Sequence, residues 1–341
     1  MDVGIFTEFA QAAGMSHTVA FDEAMAEMVA AEQLGYDTVW LGEIHFQNER
    51  SVLASPYVIG AAIAARTTRL RIGMAVSILP IQHPLHLAED AATLDQLSHG
   101  RLDLGIGRSG VPEHYRGFGI PYAESRDRFF EILKIMRRAW TEDRFSYEGK
   151  YFQIRDICVM PKPYQKPHPP LRVAATIDET YPAVGRMGLP IFLAVRTTSI
   201  AHLERNVLSY REAWKAAGHP GEPDVSLIVP VYVSEDRRAA RDEPEASMMH
   251  FIHNIGDMLA QGSTNRAADG RRLLSITYEE VLKELSIYGT PEEVADRLLQ
   301  LKETLGYTQL SLWMNSGGQM PHEKVVRSMR LFAERVLPRL R

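Results

Sequence analysis

Polar side chains collect immediately downstream of short apolar runs. Glu43 and His45 follow Thr38–Leu41, Ser77 follows Leu70–Val76, and Arg108 lies just beyond Leu102–Ile106. Thr176, Asp178 and Thr180 follow Leu171–Ala175. Arg196, Thr197 and Thr198 follow Ile191–Val195, and Trp313 and Asn315 mark the end of Leu310–Met314. A carboxylate near an imidazole can hold or move a proton, and a guanidinium is a permanent cation with several donors. Singly, each residue has an ordinary use: a solvated arginine, a helix cap, a histidine bonded to backbone. Gathered at one rim they form a site, so the elements that carry them decide the matter.

Val3–Phe6 and Ser226–Val233 bring the apolar runs to eight. Short and apolar on both faces, they read as strands of a parallel sheet. Amphipathic segments separate them: Phe21–Leu34, His83–Leu97, Glu124–Trp140, Ile200–Ala217, Pro291–Leu305 and Pro321–Leu337. Gly35, Gly100, Gly188, Gly218 and Gly306 each follow a helical segment, where a left-handed residue ends a helix. Alternation that reaches eight predicts an α/β chain built as a closed (β/α)8 TIM barrel, with an open doubly wound sheet as the rival. Two insertions interrupt it. One, over about residues 145–170, reads as a β-hairpin turning at Glu148-Gly149-Lys150 with a Pro-rich tail. The other, over about 235–289, reads as helices and a mobile lid. With no repeat and no linker in view, residues 1–341 read as one domain.

The chain carries 38 Lys plus Arg against 43 Asp plus Glu, a net charge of −5. A mildly acidic chain without a basic run argues against a nucleic-acid partner. Apolar residues at 45% and charged residues at 24% are ordinary globular usage, not disorder. The one Cys, Cys158, excludes an internal disulfide and a thiolate zinc cluster. The start Met1-Asp2-Val3-Gly4 does not read as a signal peptide, and no run of ~18 apolar residues offers a membrane span. A cytoplasmic enzyme is the expectation. Gly105-Ile106-Gly107-Arg108-Ser109-Gly110 spells G-x-G-x-x-G after a strand, with Glu124 further on. Its place at the fourth strand, its internal Arg and the following Pro112 argue against a dinucleotide fingerprint. His83, His86, Glu89 and Asp90 share a helix face at metal-ligand spacing, but capping and local pairing also account for them, and no metal is expected.

Several stretches resemble the bacterial luciferase family, the flavin-dependent luciferase-like monooxygenases. The most specific runs from Leu94-Asp95-Gln96-Leu97 through Ser98-His99-Gly100-Arg101 to Leu102-Asp103-Leu104-Gly105-Ile106-Gly107-Arg108. Gly35–Phe46, Gly73–Pro80, Tyr115–Gly119 and Ser125-Arg126 are similar too. Near the other end, Tyr288–Val294 and Phe332–Pro338 continue the likeness, which spans nearly the whole chain.

The resemblance implies a barrel that binds FMN at its mouth and uses the reduced form with O2. Arg108 and Arg126 match arginines that hold the FMN phosphate, which wants planar bidentate donors. Thr176 and Thr180 match the loop and helix start that complete the cradle, although luciferase relatives have an acidic residue and a Ser at the positions of Thr176 and Ile177. Ala75-Val76 matches a non-proline cis peptide behind the isoalloxazine ring, and Glu43 an acidic residue beneath it. Luciferase has adjacent histidines after its second strand, the first of them catalytic; Ile44 stands there in this chain, and His45 is the second. Gly107 stands where luciferase has a reactive thiol. Light emission from a long-chain aldehyde is therefore not expected. The expectation is a monooxygenase that takes reduced FMN from a separate NAD(P)H:flavin reductase and oxygenates a small, largely apolar substrate through a peroxyflavin. His45 would manage protons, Arg196, Trp313 and Asn315 would line the substrate pocket, residues around 250–280 would close over it, and the chain would form a homodimer. The alternatives are a deazaflavin-dependent oxidoreductase on the same fold and a catalytically silent flavin-binding paralogue.

Overall fold

The eight apolar runs are the eight staves of a closed barrel. The computed structural model describes residues 1–47, 50–196, 198–261 and 266–341; Thr197, read above as a rim residue, and part of the lid expected around 250–280 lie outside them. The strands are β1 (Asp2–Thr7), β2 (Thr38–Leu41), β3 (Arg71–Ile78), β4 (Leu102–Gly107), β5 (Phe145–Glu148), β6 (Gln153–Ile157), β7 (Leu171–Ala174), β8 (Ile191–Ala194), β9 (Val225–Val233), β10 (Ile287–Gly289) and β11 (Gln309–Trp313). The parallel order β1-β2-β3-β4-β7-β8-β9-β11 closes where β11 returns to β1, with Val3 opposite Leu310. The open doubly wound sheet is excluded by that closure. Every residue of β2, β4, β9 and β11 is buried, as strands covered on both faces require.

The helices are α1 (His17–Gln33), α2 (Pro56–Ala64), α3 (Pro84–Leu97), α4 (Pro112–Gly117), α5 (Ser125–Thr141), α6 (Thr180–Met187), α7 (Ile200–Ala216), α8 (Arg237–Asp242), α9 (Glu245–Gln261), α10 (Ala267–Ser275), α11 (Tyr278–Glu284), α12 (Pro291–Leu305), α13 (His322–Leu331) and α14 (Leu337–Leu340). No described helix is long and apolar enough to cross a membrane. Gly35, Gly100, Gly188, Gly218 and Gly306 all take positive φ, the left-handed geometry read for them. α12 is the clearest local case: Thr290 and Glu293 form a capping box, Pro291 opens the helix and Gly306 ends it at φ 58°. α1 starts earlier than its apolar stripe because the Ser16 hydroxyl accepts from Val19 N–H. α2 was not legible by period, since PYVIGAAIA is apolar on nearly every face. The last amphipathic stretch is not one α-helix: a π turn over Phe332–Val336 separates α13 from α14. Pro338 lacks an N–H and crowds the preceding turn, which a wider turn accommodates.

β5 and β6 form the expected antiparallel hairpin, and the Gly149 N–H donates to the Phe152 carbonyl at 3.0 Å. The long insertion after β9 holds α8 to α11 and β10, which adds to the end of β9. α9 and α10 approach closely at glycine: a Cβ on Gly270 would lie 2.4 Å from the Ala260 nitrogen. Ser247 pins α9 to the β11 loop, donating to the Ser316 carbonyl at 2.7 Å and accepting from Gln319 N–H at 2.9 Å.

Inside the barrel, the fully buried Trp40 of β2 meets Phe192 of β8 at 4.8 Å between ring centroids, and Phe192 in turn lines the cavity described below. Room for the indole comes from Gly73, where a Cβ would fall 2.2 Å from the Trp40 ring. Gly73→Ala should therefore destabilise the chain by roughly 1–3 kcal/mol, the range for overpacked cores. Urea unfolding is the check, and an unchanged midpoint would show that the indole has space to move.

Candidate active site

A cavity of about 400 Å3 opens among the C-terminal ends of the strands, within the size range of small-molecule sites. Of the residues given a role through the resemblance, Glu43, Ala75, Val76, Arg108, Arg126, Thr176, Thr180 and Arg196 line it. Three others do not. His45 lies behind Glu43, while Trp313 and Asn315 border a separate cavity of about 40 Å3, room for water only.

Glu43 is buried, and its oxygens are saturated. Ile78 N–H donates to Oε2 at 2.8 Å, and Gln82 Nε2 reaches the two oxygens at 3.0 and 3.2 Å. His45 Nε2 meets Oε1 at 2.8 Å, a contact that puts the hydrogen on Nε2. This network ties the end of β2 to the end of β3, beside the Ala75–Val76 peptide, which is cis. His45 itself turns away from the cavity. Its ring packs edge-on against His114 and Phe118, and its own N–H donates to His114 Nε2 at 3.4 Å. The structure places His45 one layer back, bonded to Glu43, while Ile44 takes the cavity wall. Gly107 also lines the wall; a Cβ there would lie 2.6 Å from Val76 Cγ2, so the side chain that luciferase carries would not fit without a shift.

Arg108 sits at the end of β4, and its Nη1 donates to Ser125 Oγ at 3.2 Å. Arg126 follows in the first turn of α5, exposed at the mouth. Thr176 and Thr180 face the same cavity from the loop after β7 and the first residue of α6. Two guanidiniums, hydroxyls and a helix start are donors suited to a phosphate dianion. Asp178, by contrast, is committed to His202 at 2.7 Å and Asn206 at 3.0 Å, which hold it below the usual carboxylate range.

Two further residues complete the cavity. Glu8, buried just past β1, accepts from Arg50 Nε at 3.0 Å and Nη2 at 2.7 Å. Burial raises its carboxyl, but the charges of Arg50 and Arg196 outweigh that and keep it lowered. Arg196 approaches Glu8 at 3.5 Å and lies over the Trp313 and Phe251 rings at 5.2 and 5.4 Å. Trp313 therefore backs Arg196, packed by Phe6 at 5.3 Å and Phe251 at 4.6 Å. Asn315 Oδ1 accepts from Met320 N–H at 3.2 Å and Ser247 Oγ at 3.4 Å, holding α9 to the β11 loop. Glu8 was within reach of the strand-end rule, since it follows β1 directly. Arg50, in a loop, gave no local signal.

His114 lines the cavity from α4 and is buried. It accepts the His45 N–H, so its hydrogen lies on Nδ1, 3.1 Å from Ser109 Oγ. Burial, then the charges of His45 and Arg50, push it down to about 4. A closed parallel barrel with such a cavity at its strand ends is the architecture of a barrel enzyme. The family model of luciferase-like monooxygenases matches residues 1–309, and the chain belongs to that family.

Among curated relatives, the oxygenase component of the flavin-dependent trigonelline monooxygenase of Acinetobacter baylyi is 25% identical over 327 residues, covering 93% of this chain and 89% of its own. Among solved structures, monooxygenase RslO1 from Streptomyces bottropensis is 30% identical with a TM-score of 0.84, covering 100% of both chains. The oxygenating constituent of 3,6-diketocamphane monooxygenase from Pseudomonas putida, in complex with FMN, shares the fold at a TM-score of 0.83 and 22% identity, covering 99% of this chain and 98% of that one. An F420-dependent secondary alcohol dehydrogenase shares it at 0.78 and 19%, covering 100% and 99%.

Because His114 is neutral when folded, the unfolded chain takes up that proton first as pH falls. The stability this group supports is full above about pH 6.5 and should drop by on the order of 3 kcal/mol by about pH 4. His114→Gln should flatten that part of the pH dependence in urea unfolding. A variant that tracks the wild type would assign the slope to another group.

Proposed function

We propose that this chain is the oxygenase component of a two-component monooxygenase, taking reduced FMN from a separate reductase and using O2 to oxygenate a small organic substrate. The observation that carries this is the joint presence of Arg108 and Arg126 on one cavity wall, with Thr176 and Thr180 facing the same space. That donor set fits a flavin phosphate. A reduced flavin bound there supplies the electrons that activate O2, one oxygen atom entering the substrate and the other leaving as water.

The chain's own residues have four tasks in this reading. Arg108, Arg126 and the α6 start bind phosphate. Ala75, Val76 and Gly107 present a wall for the ring, and Glu43 borders it, held in place by hydrogen bonds from Gln82, Ile78 N–H and His45. His45 acts as a positioning residue for Glu43. Ile255, Met258 and Leu259 of α9 roof the cavity with apolar surface and keep water out. A homodimer and a cytoplasmic location belong to the same proposal.

The F420-dependent neighbour of the same fold supports a second reading, in which a deazaflavin takes the place of FMN and oxygen is not used. Parallel fluorescence titrations with reduced FMN and reduced deazaflavin separate the two, and tighter binding of deazaflavin would overturn the monooxygenase reading. Oxygen uptake and product formation with a flavin reductase present exclude the silent paralogue.

Arg108→Ala should weaken FMN binding by about 1.5–3 kcal/mol, the scale of a hydrogen bond to a charged group. Fluorescence titration reads this directly. Unchanged affinity would put the phosphate elsewhere.

A further inference from the structure

One corner of the cavity, between the ends of β1, β8 and β11 and the overlying α9, holds more positive charge than the described residues neutralise there. Glu8 spends both oxygens on Arg50, at 3.0 and 2.7 Å. Arg196 is left with a single 3.5 Å approach to Glu8 Oε1 and, among the described residues, makes no hydrogen bond. One carboxylate thus faces two guanidiniums. Of the other acids on the cavity wall, Glu43 is saturated by Ile78, Gln82 and His45, and Asp178 bonds to His202 and Asn206 through Oδ1. Among the described residues neither Asp178 nor its exposed neighbour Glu179 forms an ion pair with Arg196. Arg266, also on the wall, bonds to Asp269 at 2.9 Å.

Arg196 is nonetheless built in place. The rings of Trp313 and Phe251 hold its guanidinium at 5.2 and 5.4 Å, and Trp313 is itself packed edge-on by Phe6 and Phe251. Its side chain keeps 30% of its surface exposed, and the cavity is what it borders. Burial brings the group down to about 10, so it remains a cation at neutral pH. Ile228 of β9 and Ile255 and Leu259 of α9 add apolar surface to the same cavity. A fixed, planar cation short of counter-charge and largely removed from water is costly until an anion arrives.

We propose that the substrate is an organic acid whose carboxylate is taken by Arg196 and whose apolar remainder lies against Ile228, Ile255 and Leu259. The inference rests on the monooxygenase reading for the reaction and on Arg196 for the ligand. A guanidinium pairs a carboxylate through two parallel N–H donors, and in an enclosed cavity the pair is stronger than in water. A neutral isostere leaves the cation unpaired, so discrimination comes from the empty partnership as much as from the filled one.

Three acid and amide pairs test this on the full chain: benzoate with benzamide, trans-cinnamate with cinnamamide, and octanoate with octanamide. Calorimetric titration measures their affinities, and FMN affinity is measured in parallel by fluorescence. At least one acid should bind roughly tenfold or more tighter than its amide, the scale of a charge-assisted hydrogen bond. Arg196→Met should bring that ratio to about one, and Arg196→Lys, which keeps the charge but loses the fork, should fall between. FMN affinity should stay at the wild-type value in both. The lysine variant alone suffices if the methionine variant does not fold. No acid preference in any pair, including no acid binding at all, overturns the proposal, as does a preference that survives Arg196→Met. Loss of FMN binding in Arg196→Met together with no acid preference assigns the guanidinium to the flavin and also overturns it. Acid preference in a wild-type chain that does not bind FMN keeps this inference and removes the flavin reading instead.

Discussion

The parallel ladder that returns β11 to β1 is the constraint on which the rest depends. Once the ring closes, all eight strands point the same way, and the residue just past each strand is delivered to one mouth. Glu8, Glu43, Arg108, Thr176 and Arg196 are scattered over most of the chain, yet they border a single cavity. Closure also leaves an interior to fill. Trp40 and Phe192 fill part of it, and Phe192 also borders the cavity.

The mouth is divided electrically. On the β4 and β7 side, Arg108, Arg126 and the start of α6 gather donors with no buried carboxylate paired to them among the described residues. On the β1 and β8 side, Glu8 is shared unequally between Arg50 and Arg196, and aromatic rings fix the second guanidinium. Between them, Glu43 is held by three donors, His45 beside it and Ile78 and Gln82 at and just after the end of β3. Charges arranged before any ligand binds cost stability, and they lower the reorganisation that binding and chemistry need. α9 encloses the arrangement, and Ser247 and Asn315 anchor it to the loop after β11.

Much of this was legible locally. The strands and most helices followed from apolar period, caps and glycine punctuation, because neighbouring residues suffice to specify them. α2 was obscured by its uniform apolarity, and the π turn before α14 by the assumption of one unbroken period. Eight of the residues picked out for the site do share the cavity. Direction was not legible: His45, Trp313 and Asn315 stand at strand ends, as read, and their side chains, which do not line that cavity, meet protein partners.

By itself, the sequence determined the barrel's strand count, its helical punctuation and a family likeness dense enough to name the residues of a phosphate corner. Such features live in short windows, where period and turn chemistry act. Only the tertiary structure decided that His45 supports Glu43 from behind, that Arg50 claims Glu8, and that Arg196 is left short of charge. The outcomes at Arg50 and Arg196 depend on which groups meet across the closed ring, where pairing energies between residues far apart in the chain leave no trace in local order; the His45 contact, two residues from Glu43, depends on the path of the loop after β2.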